Sequence, residues 1–122
     1  MTSFDAVTTW TEDSDGARLV VDDTWQQGKA LFGGVQAAAG LRAFEALVGA
    51  DRPLRSVSAT FVGLAGSEPL RRDVRILRDG RSVTIGRCDL ISDEGVACTV
   101  TAAFGGARTS VVERRLERGD VV

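Results

Sequence analysis

The stretch from Gly34 to Val48 constrains this chain more than any other, because it reads as a helix with almost no polar face. From Val35 it runs VQAAAGLRAFEALV, rich in residues that lose little side-chain entropy in a helix. Gly49 stands where a helix-ending glycine belongs, and Pro53 prevents continuation. Only Gln36, Arg42 and Glu45 are strongly polar, so most of the helix circumference is expected to be buried.

The flanking segments read as strands. Phe4 to Trp10 carries β-branched and aromatic residues and is expected to be a first strand, turning at Glu12 to Gly16 into a second at Ala17 to Val21. Asp22 to Leu31 reads as a loop. Beyond the helix, Arg55 to Val62 alternates Ser56, Ser58 and Thr60 with Val57, Ala59 and Phe61, the period of a two-faced strand. Leu70 to Leu77 and Arg81 to Ile91 are joined at Arg78-Asp79-Gly80, where Asp-Gly is a hairpin signal. Val96 to Phe104 pairs back across Ser92-Asp93-Glu94-Gly95. The predicted order is β-β-α-β-β-β-β. A helix this greasy is buried best when a twisted antiparallel sheet wraps around it, which is the α+β hotdog fold. A helix laid on one face of an open sheet would be expected to show a broad polar stripe, and Arg42 and Glu45 are too few to make one.

The chain has 122 residues, enough for one domain. Residues 1–107 are expected to form that domain and 108–122 a charged tail. A hydrophobic share of 43% with 26% charged residues suits a water-soluble globule. The net charge of -2 provides no field for nucleic acid or an anionic membrane, and no apolar run is long enough to span a bilayer. The first residues have neither the basic nor the apolar region of a secretory signal, so the cytoplasm is the expected location. Histidine is absent, which excludes Ser-His-Asp and Cys-His catalysis. Cys88 and Cys98 alone do not make a zinc site and read as small core residues, with a disulfide between them as the lesser alternative; no metal is expected. Any catalysis must use carboxylates, hydroxyls, amides or backbone N–H groups.

The candidate chemistry gathers where Leu31-Phe32-Gly33-Gly34 runs into the helix. Two glycines there permit close approach of a ligand to unpaired first-turn N–H groups, suited to a thioester carbonyl gaining negative charge. The same pair also suits a tight loop-to-helix junction. Gln36 lies opposite Glu45 on the apolar side with Gly40 one turn below, and is expected either to reach a ligand or to bond a strand carbonyl. Asp22 and Asp23 end the second strand; Asp23 is the candidate general base, with an ordinary turn carboxylate as the other reading. Trp25 and Phe32 are candidates to wall a substrate pocket. Arg71, Arg72, Arg75, Arg78 and Arg81 surround the third hairpin. Arg78 and Arg81 are the candidates for a carrier's phosphates, whereas Arg71 and Arg75 suit a solvated edge that discourages aggregation.

These runs resemble a known family. LFGG entering an Ala-rich helix, RSVSATFVG, and the hairpin ILRDGRSVTIGRCDLISDEGVACTVTAAF are similar to the N-terminal half of bacterial acyl-CoA thioesterase II and its thioesterase-like relatives, over roughly residues 17 to 105. The resemblance implies a hotdog that hydrolyses acyl-CoA thioesters without metal or organic cofactor. It carries over Gly33, Gly34 and the Arg78 to Ser82 hairpin. Those relatives hold two hotdog repeats, with the catalytic Asp, Thr and Gln in the second. This chain has one repeat, of the first kind, with Thr101-Ala102-Ala103 where the Gln would fall. A single repeat implies a homodimer, or a dimer of dimers, whose pocket is built from both subunits. Two functions remain open: hydrolysis of an acyl-CoA or acyl-carrier-protein thioester, and a non-catalytic acyl-thioester-binding or structural subunit.

Overall fold

The structure, a computed structural model, describes residues 3–13, 16–20, 26–27, 30–31, 33–63, 65 and 69–106. The element order is α1 (Phe4–Val7), β1 (Thr11–Asp13), β2 (Gly16–Arg18), β3 (Gln26–Gln27), β4 (Ala30–Leu31), α2 (Gly33–Arg42), β5 (Leu54–Phe61), β6 (Arg71–Asp79), β7 (Val83–Ser92) and β8 (Gly95–Gly105). The last four strands form one antiparallel sheet in the order β5-β8-β7-β6, and α2 packs on its two central strands. This is the α+β hotdog.

The expected first strand is instead a turn of helix. The Ser3 side chain accepts the Ala6 N–H at 3.1 Å, and the Thr8 hydroxyl donates back to the Phe4 carbonyl at 2.9 Å. Local capping of this kind overrides a weak strand propensity. The opening hairpin then forms later, β1 against β2, and Leu19 makes a single bridge to Leu70. The predicted loop from Asp22 to Leu31 contains a minute hairpin, β3 against β4.

Helix α2 also departs from its expected form. Regular hydrogen bonding ends at Arg42, and i→i−3 bonds such as Phe44 N–H to the Leu41 carbonyl carry tighter turns on to Leu47. Those turns bring Phe44 onto the sheet, edge-on to Phe104 with ring centroids 5.6 Å apart. The helix buries one stripe, Val35, Gln36, Ala39, Gly40, Ala43 and Phe44. Ala37, Ala38 and Leu41 are only half-buried, and Ala46 and Leu47 are exposed. The expectation of burial nearly all round is therefore wrong for one chain: four strands cover one side of a rod. Two glycines set how closely helix and sheet approach. A Cβ on Gly40 would fall 2.5 Å from Val100 Cγ2, and one on Gly86 2.5 Å from Phe44 Cε1.

The β7–β8 turn lies where expected. Gly95 has φ +119°, and the Ser92 hydroxyl accepts the Glu94 N–H while donating to the Gly95 carbonyl. The β6–β7 turn comes later than Asp-Gly suggests. Asp79 still pairs with Thr84, and the Gly80 N–H closes the loop on the Val83 carbonyl at 2.8 Å. No helix among the described residues is long and apolar enough to cross a membrane. The tail 108–122 lies outside the described residues.

Candidate functional site

Helix α2 begins at Gly33, half-buried, followed by the exposed Gly34. The first-turn N–H groups of a helix have no partner within it, so this end is a donor-rich, electropositive tip. Gln36, in the same turn, is 4% exposed and lies on the stripe that faces the sheet, as its angular position predicts. Its Oε1 atom is fully buried. The room expected below it at Gly40 is absent, because Val100 and Leu90 fill that space.

Phe61 completes this end of the molecule, and nothing in the sequence separates it from the other inward residues of its strand. It ends β5 opposite Cys98, and a Cβ placed on Gly33 would lie 3.0 Å from its ring tip. Gly33 is therefore small to receive the Phe61 ring, at least as much as to admit a ligand. Asp22, Asp23, Trp25 and Phe32 lie outside the described residues.

Arg78 and Arg81 do not join this group. They stand at the β6–β7 turn, beside the Asp79–Thr84 rung, whereas the helix start adjoins the Phe61–Cys98–Leu90 row. Six residues of β7 separate those rows, about 20 Å of strand. Both arginines are exposed and line a pocket of about 350 Å3 with Gly80, Ser82, Val83 and Ile85. The loop beneath them is clamped by Arg52, which donates to Asp79 Oδ1 at 3.1 Å, Thr84 Oγ1 at 2.7 Å and the Arg81 carbonyl at 2.7 Å. Arg52 carries no motif that would have revealed this from sequence.

The other arginines of the hairpin have structural partners. Arg71 donates to the Gly16 and Ala17 carbonyls, and Arg75 pairs with Asp73 at 2.8 Å. Arg72 lies over the Trp10 ring at 5.0 Å, and the Trp10 indole N–H donates to the Ala39 carbonyl at 2.8 Å. These contacts bind the N-terminal segment to the flank of α2 remote from β5.

The titrating groups of the sheet are also occupied. Burial pushes the Cys88 thiol up to about 12 and the Cys98 thiol up to about 11, so both stay protonated near neutrality and are poor nucleophiles. At Asp89, partial burial opposes ionisation, but hydrogen bonds from Arg87 and Thr99 outweigh it and hold the carboxyl below its ordinary range. Asp89 lies on the sheet face away from α2, in register with Asp73 and Thr99, and so does not face the helix start.

The geometry has counterparts in solved structures. A protein with hot dog fold from Alicyclobacillus acidocaldarius is 26% identical at a TM-score of 0.74, over 90% of this chain and 42% of that one. An acyl-CoA thioesterase II from Mycobacterium marinum superposes at a TM-score of 0.72 with 20% identity, over 88% of this chain and 41% of that one. A Bacillus halodurans protein solved with CoA matches at a TM-score of 0.67 with 16% identity, over 85% of this chain and 76% of that one. The chain thus spans about two fifths of the length of the first two. No curated protein matches it. The family described as the acyl-CoA thioesterase N-terminal domain matches residues 21–105. With its sheet, helix and strand order all in agreement, the chain belongs to the acyl-CoA thioesterase N-terminal domain family.

Proposed function

We propose that this thioesterase-like hotdog protein hydrolyses an acyl thioester carried on coenzyme A or on an acyl carrier protein. The family match across residues 21–105 is the observation that carries this reading, and the helix start at Gly33-Gly34 gives it a chemical location. The Gly34 N–H would stabilise the carbonyl oxygen as negative charge develops on it. Gln36 would orient the carbonyl or the attacking water, and Asp23 would take that water's proton. Trp25 and Phe32 would wall the acyl end. Arg78 and Arg81, far from the thioester, suit the phosphates at the other end of a long carrier.

The working unit in this proposal is a homodimer, alone or paired into a tetramer, in the cytoplasm. The exposed edge of β5 supports it: Leu54, Val57 and Phe61 on the helix side of that strand are 43%, 46% and 54% exposed. A second chain laid against β5 would complete the sheet and shade the half-buried side of α2.

A second reading, a subunit that binds thioesters or supports another hotdog without catalysis, is favoured by one observation. The matching family is an N-terminal domain, and the chain spans only about two fifths of the longer structures it resembles. Purified protein offered a panel of acyl-CoA esters distinguishes the two. Hydrolysis releases free thiol and stops in Gly34→Pro and Asp23→Asn; a binding subunit raises its melting temperature with ligand and releases none.

A further inference from the structure

The Phe61 ring stands beside the helix start. It is 54% exposed, yet its tip lies against Gly33. Behind it an apolar path continues along the helix side of β5, through Ala59, Val57 and Leu54, whose register partners on β8 are Val100, Ala102 and Phe104. The half-buried Leu41 borders the far end of that path, beside Leu54. The path ends in a cavity of about 330 Å3 whose apolar lining includes Leu41, Phe44, Leu54 and Phe104 and whose wall also carries Glu45 and Arg52. From Gly33 to Phe44 the path follows eleven residues of coil, about 16 Å at helical rise.

Granted the thioester site proposed above, on which this assignment rests, we infer that Phe61 is the residue that sets acyl length. The ring divides the helix start from the groove beyond it. Short acyl groups fit in front of the ring; longer ones enter the groove only where the ring is smaller or displaced. The occupant of the groove is the distal part of the acyl chain. Continuity between the groove and the helix start supports that choice: Phe61, Ala59, Val57 and Leu54, which pair with the helix-facing residues of β8, are all apolar. Edge pairing of β5 with a second chain uses backbone groups and leaves this face as the floor of the groove.

The test is a series at one position, Phe61→Trp, Phe61→Leu and Phe61→Ala, offered acyl-CoA esters from acetyl to palmitoyl. Thiol release gives kcat/KM, and calorimetry with non-hydrolysable acyl-CoA thioethers gives affinity in the absence of turnover. The ratio of long-chain to short-chain kcat/KM, or of affinity, should rise about tenfold or more in Phe61→Ala and fall in Phe61→Trp. A uniform change at all lengths would overturn the assignment, as would a shift of Phe61→Leu or Phe61→Ala to a smaller species in size-exclusion chromatography, which would make the ring a subunit contact. Failure of the wild-type chain to bind or cleave any member of the panel would instead sink the thioester reading itself.

Discussion

The two edges of the sheet are finished in opposite ways. On β6, Arg71, Arg72, Asp73, Arg75, Arg78 and Asp79 put charge on both faces, and the first residues are covered by the β1–β2 hairpin through Leu19–Leu70 and the Arg71 hydrogen bonds. Such an edge resists addition of another strand. On β5 the only charged side chain, Arg55, bends back to the Gly105 and Gly106 carbonyls, and the rest are small, hydroxylic or apolar. Among the described residues no strand pairs with the outer edge of β5, which is why the proposed subunit contact and acyl groove both fall there.

The largest effect should come from charging that edge. Val57→Lys places an ammonium on the helix side of β5, on the floor of the proposed groove, and is expected to reduce thiol release to background while the oligomer is kept, as read by the thiol assay and light scattering. The matched change on the other edge, Arg75→Ala, should alter neither oligomeric state nor turnover and should shift stability by less than about 1 kcal/mol. Unchanged thiol release in Val57→Lys would remove the distinction between the edges.

Next comes the centre of the sheet, where the helix presses. Gly86→Ala and Gly40→Ala each drive a methyl into a neighbour 2.5 Å away and should cost about 1–3 kcal/mol in denaturant unfolding. Ser58→Ala on the exposed edge should stay within about 0.5 kcal/mol. On the covered flank, Trp10→Phe removes the bond to the Ala39 carbonyl and should cost about 1 kcal/mol.

The smallest effect is a pH dependence. The Asp89 carboxyl titrates below its ordinary 3.8 in the folded chain, so its contribution is complete above 3.8 and is lost as pH falls through the folded value. Thr99→Val removes one of the bonds that hold it down. The carboxyl should then titrate higher by NMR, and stability should fall less steeply on acidification. An unchanged titration would mean that the Arg87 bonds alone hold the carboxyl down.

Several elements were legible because their signals are local. The alternation of Ser56 to Phe61, the Ser92 to Gly95 turn and the helix after Gly33-Gly34 each depend on a few adjacent residues, and the runs LFGG and LRDGRS carried the family resemblance. The misread first strand was also local: β-branched residues were weighed, and the Ser3 cap was missed. Asp79-Gly80 misled for another reason, since the Asp79 carboxylate is taken by Arg52 and Thr84 while the turn forms one step on.

Sequence alone thus determined that one apolar helix would lie on an antiparallel sheet, that histidine chemistry is excluded, and that glycines mark the helix start. Those conclusions follow from composition and from periods of a few residues. Only the tertiary structure decided that Gly40 and Gly86 serve packing, that Phe61 closes on Gly33, that Arg78 and Arg81 sit a sheet's length from the helix start, and that β5, unlike β6, is an edge with no partner among the described residues. Each of these depends on strand order and register, which bring together residues tens of positions apart, and no short-range pattern encodes that distance.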